Sequence, residues 1–305
     1  MKAKRIKKMS KRTIRFGSRK SELAAIQARI VMDAVARAHP ELAVELVVME
    51  TSGDRNMKPF SEASDKFGIK GLFTQEIEEA LRSGAIDVAV HSLKDMPVNA
   101  ASALPIVACP KRGDPRDALV LPAGRALLEQ GGVVGCSSAR RRPQLAALLP
   151  GVSAAPVRGN VNTRLRKLDG GDFSALVLAA AGLRRLGLGK RISRCFEPCE
   201  MVPAPGQGII ACQGRAGGDY YYLDELRDRD TELCGEVERA FSAELGGGCT
   251  APVGAFAEIS GKEIKIIGFC CGEGGARRAS ISGRACEGVK LAVALARKLS
   301  GREGA

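Results

Sequence analysis

The chain has 305 residues, 45% of them hydrophobic, enough to bury large cores in two or three domains, and no apolar run reaches the roughly 18 residues that span a bilayer. Of the net charge of +13, seven positive charges lie in the acid-free start MKAKRIKKMSKR, leaving +6 on the remaining 293 residues. Aromatic content of 4% with no Trp argues against a single-strand nucleic-acid binder, and two histidines with ten scattered cysteines give neither a zinc pattern nor a serine-hydrolase triad.

These exclusions leave the chemistry to Cys, Asp/Glu, Lys or Arg, with a small anion as the expected partner and no metal, nucleic acid or membrane. No signal-peptide core follows the basic start, so the expected location is the cytoplasm, with the cysteines as thiols. The start itself reads as a solubilising tail, against the alternative of a nucleic-acid arm.

In chain order, TIRFG has the pattern of a strand, SELAAIQARIVMDAVARA of a helix, and AVELVVME of a strand. The stretch RNMKPFSEASDKFGIKG lacks a period and reads either as a lid over a site or as a surface insertion. GLFTQEIEEALRSG is expected as a helix and AIDVAVHSL as a buried strand. The rhythm repeats through DALVLP, VVGCSS, PQLAALLP, APVRGN, TRLRKLDGG and FSALVLAAAGL, predicting a second α/β lobe and mostly parallel sheets. Prolines and glycines in VPAPGQG mark a hinge. Beyond it, ELCGEVERAFSAEL is a helix, AFAEIS and KEIKIIGF are strands, and VKLAVALARKL closes a smaller α+β domain.

Three strand-to-helix corners, GSRKSEL, GCSSARRRPQL and RGNVNTRLRKL, combine hydroxyl or amide residues with arginines where helices begin. Free N–H groups and the positive dipole end there suit a bound anion, and the guanidinium fork matches a carboxylate or phosphate. Arg184 and Arg185 add a fourth basic corner, read as the end of an apolar strand. The strand ending VHSLKDMPV brings Lys94 and Asp95 to the carboxyl edge of a sheet, where α/β proteins bind ligands. Asp95 is the only carboxylate among these corners; it reads either as a counterion for positive charge on a substrate or as half of a surface ion pair. Finally, ELGGGCTAPVG sets Cys249 behind three glycines, an open backbone that lets another group approach the thiol.

Taken in order, VHSLKDMP, GCSSARRRPQLA, RGNVNTRLRKLDGG, AAAGLRRLGL, PAPGQG and LGGGCTAPVG resemble the porphobilinogen deaminase (hydroxymethylbilane synthase) family from about Ile14 to Phe256. The resemblance implies an α/β fold of two periplasmic-binding-protein-like lobes, residues 12–108 with 209–226 and residues 113–202, joined by a hinge that includes Gln207. A small C-terminal α+β domain, 231–305, would carry the cofactor cysteine. It implies a monomeric transferase of porphyrin and heme biosynthesis that deaminates four porphobilinogen molecules and joins them head to tail into hydroxymethylbilane. The primer is a dipyrromethane cofactor, one per chain, held by Cys249 through a thioether. By motif, Lys94, Asp95, Ser138, Arg140, Arg141, Arg164 and Arg185 would bind the cofactor, and Arg19, Ser21, Arg158 and Arg185 the substrate. Asp95 would be catalytic, and Asp54 and the loop through Phe60 would cover the site. Cys136 and Gly246 stand where this family usually has Thr and Glu. A non-enzymatic anion-binding protein and an RNA-associated basic protein are the rival readings.

Overall fold

The computed structural model describes residues 11–51, 74–98, 102–247 and 251–301. β1 (Thr13–Arg19) runs into α1 (Glu22–Ala38), whose first turn is capped by Ser21 accepting a hydrogen bond from the Ala24 N–H. Ala28, Val31, Met32 and Val35 recur at helical spacing and bury one stripe of α1 against Ile14, Phe16, Val88 and Val90. β2 (Ala43–Met49), α2 (Gln75–Arg82), β3 (Val88–Ser92) and β4 (Ile106–Ala108) follow.

The chain then crosses to the second lobe, which contains β5 (Asp117–Val120), β6 (Val133–Gly135), α3 (Arg141–Leu148), β7 (Ser153–Ala155), α4 (Val161–Asp169), β8 (Ala175–Ala179), α5 (Ala180–Arg185) and β9 (Arg194–Phe196). It returns as β10 (Ile210–Gln213). The two sheets have matching plans, β2-β1-β3-β10-β4 and β7-β6-β8-β5-β9.

The expectation of mostly parallel sheets holds for four of the five strands in each lobe's sheet, and one strand in each departs from it. β1 pairs in parallel with β2 and β3, and β6 with β7 and β8, but β10 and β5 are antiparallel to both of their neighbours. The hinge explains this. Ile210, at the start of β10, pairs with Ser92 at the end of β3, and Asp117, at the start of β5, pairs with Ala179 at the end of β8. A strand entering from the carboxyl edge of a parallel set must run against it. Arg184 and Arg185, expected at a strand end, lie in the last turn of α5.

The third unit packs α6 (Arg229–Glu244) and α7 (Gly288–Ser300) on one face of an antiparallel meander of β11 (Val253–Ser260), β12 (Glu263–Gly272) and β13 (Gly275–Arg284). Val237, Phe241, Ile264, Ile266, Leu295 and Leu299 form its core. Gly268 is required there, because a Cβ would stand 2.5 Å from the Phe241 ring.

Candidate active site

Where β3 ends, a single 3-10 turn, Leu93–Asp95, turns the chain across the cleft. Leu93 anchors it: its side chain is buried and its N–H donates to the Ile209 carbonyl of the returning hinge at 3.0 Å. Gly206 passes so close that a Cβ would lie 2.7 Å from Leu93. With Leu93 fixed inward, Lys94 and Asp95 line the cleft, and Lys94 Nζ reaches Gln207 Oε1 at 3.5 Å. Burial lowers the Lys94 pKa, helped by Arg141 and Arg140 and opposed by Asp95 and Asp117.

Across the cleft, β6 delivers Ser138, Arg140 and Arg141 to the start of α3, and Ser138 Oγ accepts a hydrogen bond from the Arg141 N–H at 3.4 Å. Both arginines turn inward onto Asp117. Arg140 Nη1 lies 2.6 Å from Oδ2, and Arg141 Nε and Nη2 lie 3.0 and 2.6 Å from Oδ1. Gln207 Nε2 completes the shell at 2.9 Å. Burial on its own would raise the Asp117 pKa, but the two guanidiniums outweigh it and hold the carboxyl well below the usual carboxylate range. Asp95 is therefore not the only carboxylate among the basic corners. Asp117, heading a strand whose four residues are all buried, was visible in DALV as a charged residue where none is expected.

Two cavities adjoin. One is lined by Arg19, Ser21, Gln27, Thr74, His91 and Asp95. The other, of about 200 Å³, is lined by Lys94, Asp95, Ser138, Arg140, Arg141 and Arg239, among others. Asp95 belongs to both. His91 is buried, and burial lowers its pKa to about 4, with Gln213 opposing and Arg19 adding to the shift, so the ring is neutral at pH 7. Arg239 and Ser242 were missed in the sequence; they sit on α6, inside an ordinary amphipathic pattern, and border the second cavity from the third unit. Arg239 also ties α6 to the first lobe through the Pro97 and Val98 carbonyls.

Arg158, Arg164 and Arg185 lie outside both cavity linings. Arg164 Nε donates to the Gly159 carbonyl at 2.8 Å. Arg185 Nη2 donates to the Gly208 carbonyl at 2.6 Å, and burial lowers its pKa to about 10. Cys249, Asp54 and the loop through Phe60 fall outside the described residues.

A cleft between two α/β lobes, rich in guanidinium groups and with one carboxylate shared by two adjoining cavities, has the chemistry of a site for small molecules that carry several carboxylates. Residues 14–221 match the model described as "Porphobilinogen deaminase, dipyromethane cofactor binding domain", and residues 232–301 match "Porphobilinogen deaminase, C-terminal domain". Relatives named porphobilinogen deaminase include one from Acetivibrio thermocellus, 48% identical over 84% of this chain and 87% of its own. Another, from Ruminiclostridium cellulolyticum, is 46% identical over 94% and 97%. The chain belongs to the porphobilinogen deaminase family, transferases that build hydroxymethylbilane in tetrapyrrole biosynthesis using a dipyrromethane cofactor.

Among solved structures, the methionine binding protein MetQ is similar at a TM-score of 0.43 and 14% identity, covering 76% of this chain and 94% of that one. The effector binding domain of BenM is similar at 0.43 and 17%, covering 78% and 95%. Among the described residues no helix is long and apolar enough to cross a membrane. The donor set fits the cofactor: its acetate and propionate arms need cationic and hydroxyl partners, and Lys94, Arg140, Arg141 and Ser138 line one cavity.

Proposed function

We propose that Asp95 is the catalytic group and that Cys249 carries the dipyrromethane through a thioether. The single observation that carries this reading is that Asp95 lines both cavities, one rimmed by Arg19 and Ser21 and the other by Lys94, Ser138, Arg140 and Arg141. Substrate carboxylates would be held by Arg19, Ser21, Arg158 and Arg185, and cofactor carboxylates by Lys94, Ser138, Arg140, Arg141, Arg164 and Arg185. Arg185 would exchange its present bond to the Gly208 carbonyl for a ligand carboxylate.

When bound, the dipyrromethane supplies the pyrrole carbon onto which the chain grows. In porphobilinogen the C–N bond of the protonated aminomethyl group breaks, its electron pair leaves with ammonia, and the pyrrole nitrogen takes up positive charge. That charge is discharged when the methylene carbon bonds to a free pyrrole carbon and that carbon's proton is lost. Asp95 would accept the pyrrole N–H and act as counterion to that charge, a contribution of roughly 3 kcal/mol in a site where charge develops. The arginines, by contrast, hold carboxylates that do not change charge, so they govern binding and register.

Residues 12–108 with 209–226, residues 113–202 and residues 231–305 would act as three bodies of a monomer working in the cytoplasm. The Gly113 N–H to Gly208 carbonyl contact between the two crossovers supports a hinge at that level. The test is intact mass under denaturing conditions with an assay of ammonia release from porphobilinogen. Active protein should carry a dipyrromethane adduct that Cys249→Ser lacks, and active protein of unmodified mass overturns the reading. Light scattering should return one chain of 32.1 kDa.

A further inference from the structure

Asp117 has no part in the chemistry above, yet it is the point on which the second cavity turns. Its carboxylate is fully buried at the head of β5 and meets three side chains from two other segments. Arg141 grips Oδ1 through Nε and Nη2 and also donates Nη1 to the Val177 carbonyl at 3.0 Å, so its plane is fixed from two sides. Arg140 spends Nη1 on Oδ2 and on the Val202 carbonyl, at 2.6 and 2.7 Å. Its Nε and Nη2 take no part in those bonds, and Arg140 lines the cavity. Gln207, fully buried in the hinge, donates Nε2 to Oδ1 and to the Pro115 carbonyl, while its Oε1 faces Lys94 Nζ.

We propose that Asp117 is a positioning residue for the cofactor site. It fixes the Arg140 guanidinium through Nη1 so that Nε and Nη2 are left for the cavity, anchors Arg141 beside it, and through Gln207 sets the distance between them and Lys94 of the first lobe. The inference rests on the reading that this cavity seats the dipyrromethane. Two guanidiniums against one carboxylate leave a single net positive charge at the wall, enough to attract a ligand carboxylate without two unshielded like charges repelling each other in a buried place. Arginine is selective only when its fork points the right way, and a rotamer held by a buried partner arrives already oriented. An ordinary structural ion pair would need neither the shared hinge amide nor the open donors on Arg140.

The test follows loading of apo-protein by its mass gain during incubation with porphobilinogen, alongside thermal unfolding of the same apo-protein. Asp117→Asn keeps the shape and loses the charge that orients both arginines. Its loading should slow on the order of a hundredfold, the scale expected when a reacting group is held about 1 Å out of place. Asp117→Glu, which restores charge on a longer arm, should recover part of the loading rate. Gln207→Met cuts only the arm to the hinge and should slow loading with a smaller change in melting temperature than Asp117→Asn. Loading of Asp117→Asn at the wild-type rate, whatever its melting temperature, overturns the positioning role. If that variant does not fold, wild-type loading by Gln207→Met overturns it instead. An adduct that survives Cys249→Ser refutes the cofactor reading on which the inference stands, and so separates the two failures.

Discussion

Replacing Glu238 by Gln tests how the cysteine-bearing unit is held against the hinge. Glu238 lies on α6, is fully buried, and accepts four hydrogen bonds from three segments: Arg112 Nη1 and Nη2 at 2.6 and 3.2 Å, the Gly206 N–H at 2.7 Å and the Ala257 N–H at 2.8 Å. Arg112 is nearly as enclosed, donates Nε to the Gln207 carbonyl and stacks over Phe256. Gln keeps one oxygen but turns an amide toward a donor, leaving the guanidinium without a counterion. Breaking one partner of such a buried pair costs about 4 kcal/mol. With a urea m-value of about 3 kcal/mol/M, the unfolding midpoint should fall by about 1 M. Joint replacement, Arg112→Leu with Glu238→Leu, should cost less than Arg112→Leu and Glu238→Leu added together, because the two side chains share one interaction. A midpoint within about 0.3 M of wild type for Glu238→Gln would refute the reasoning, since no surface ion pair carries more than about 1 kcal/mol.

Three further outcomes follow from the geometry. Asp95→Asn should lower single-turnover chain elongation roughly a hundredfold while the adduct on Cys249 still forms, and near-normal elongation would return Asp95 to an ordinary cleft residue. Gly208→Ala should lower the melting temperature, because φ there is +89° and the new Cβ would stand 2.6 Å from the Gly113 carbonyl; an unchanged melting curve would mean that the crossovers part freely. His91 is held neutral down to about pH 4 in the fold. Below about pH 6.5 the unfolded chain takes up a proton that the folded chain refuses, so wild type should lose about 3 kcal/mol more stability than His91→Gln between pH 7 and pH 4. Asp117 leaves that window flat, since its depressed pKa withdraws stability only as the pH falls below about 4. Equal changes in urea midpoint for the two proteins between pH 7 and pH 4 would rule the histidine out.

What the sequence reveals here depends on how far apart the interacting residues lie. The parallel βα units were legible because each strand's apolar run and each helix's stripe are local: Val88–Ser92 and Ala175–Ala179 are almost wholly buried, and α1 repeats its apolar positions every three or four residues. β13 was not, since GARRASISGR is exposed along most of its length and alternates only weakly, through Ala279 and Ile281. The antiparallel strands escaped for another reason, because their direction is set by the hinge they enter from and by nothing in their own composition. In the site, Lys94, Asp95 and the arginine corners stood out as charges at the ends of buried strands. Their partners did not: Asp117 is 23 residues from Arg140, and Gln207 is 90 from Asp117. Composition counted the arginines as free positive charge waiting for an anion. Folding first gives two of them an internal carboxylate and gives Arg185 a hinge carbonyl, so what the cleft offers a ligand is the set of donors left over after these bonds are made. That remainder, with Asp95 at the junction of the two cavities, is what a chain of carboxylate-bearing pyrroles would meet.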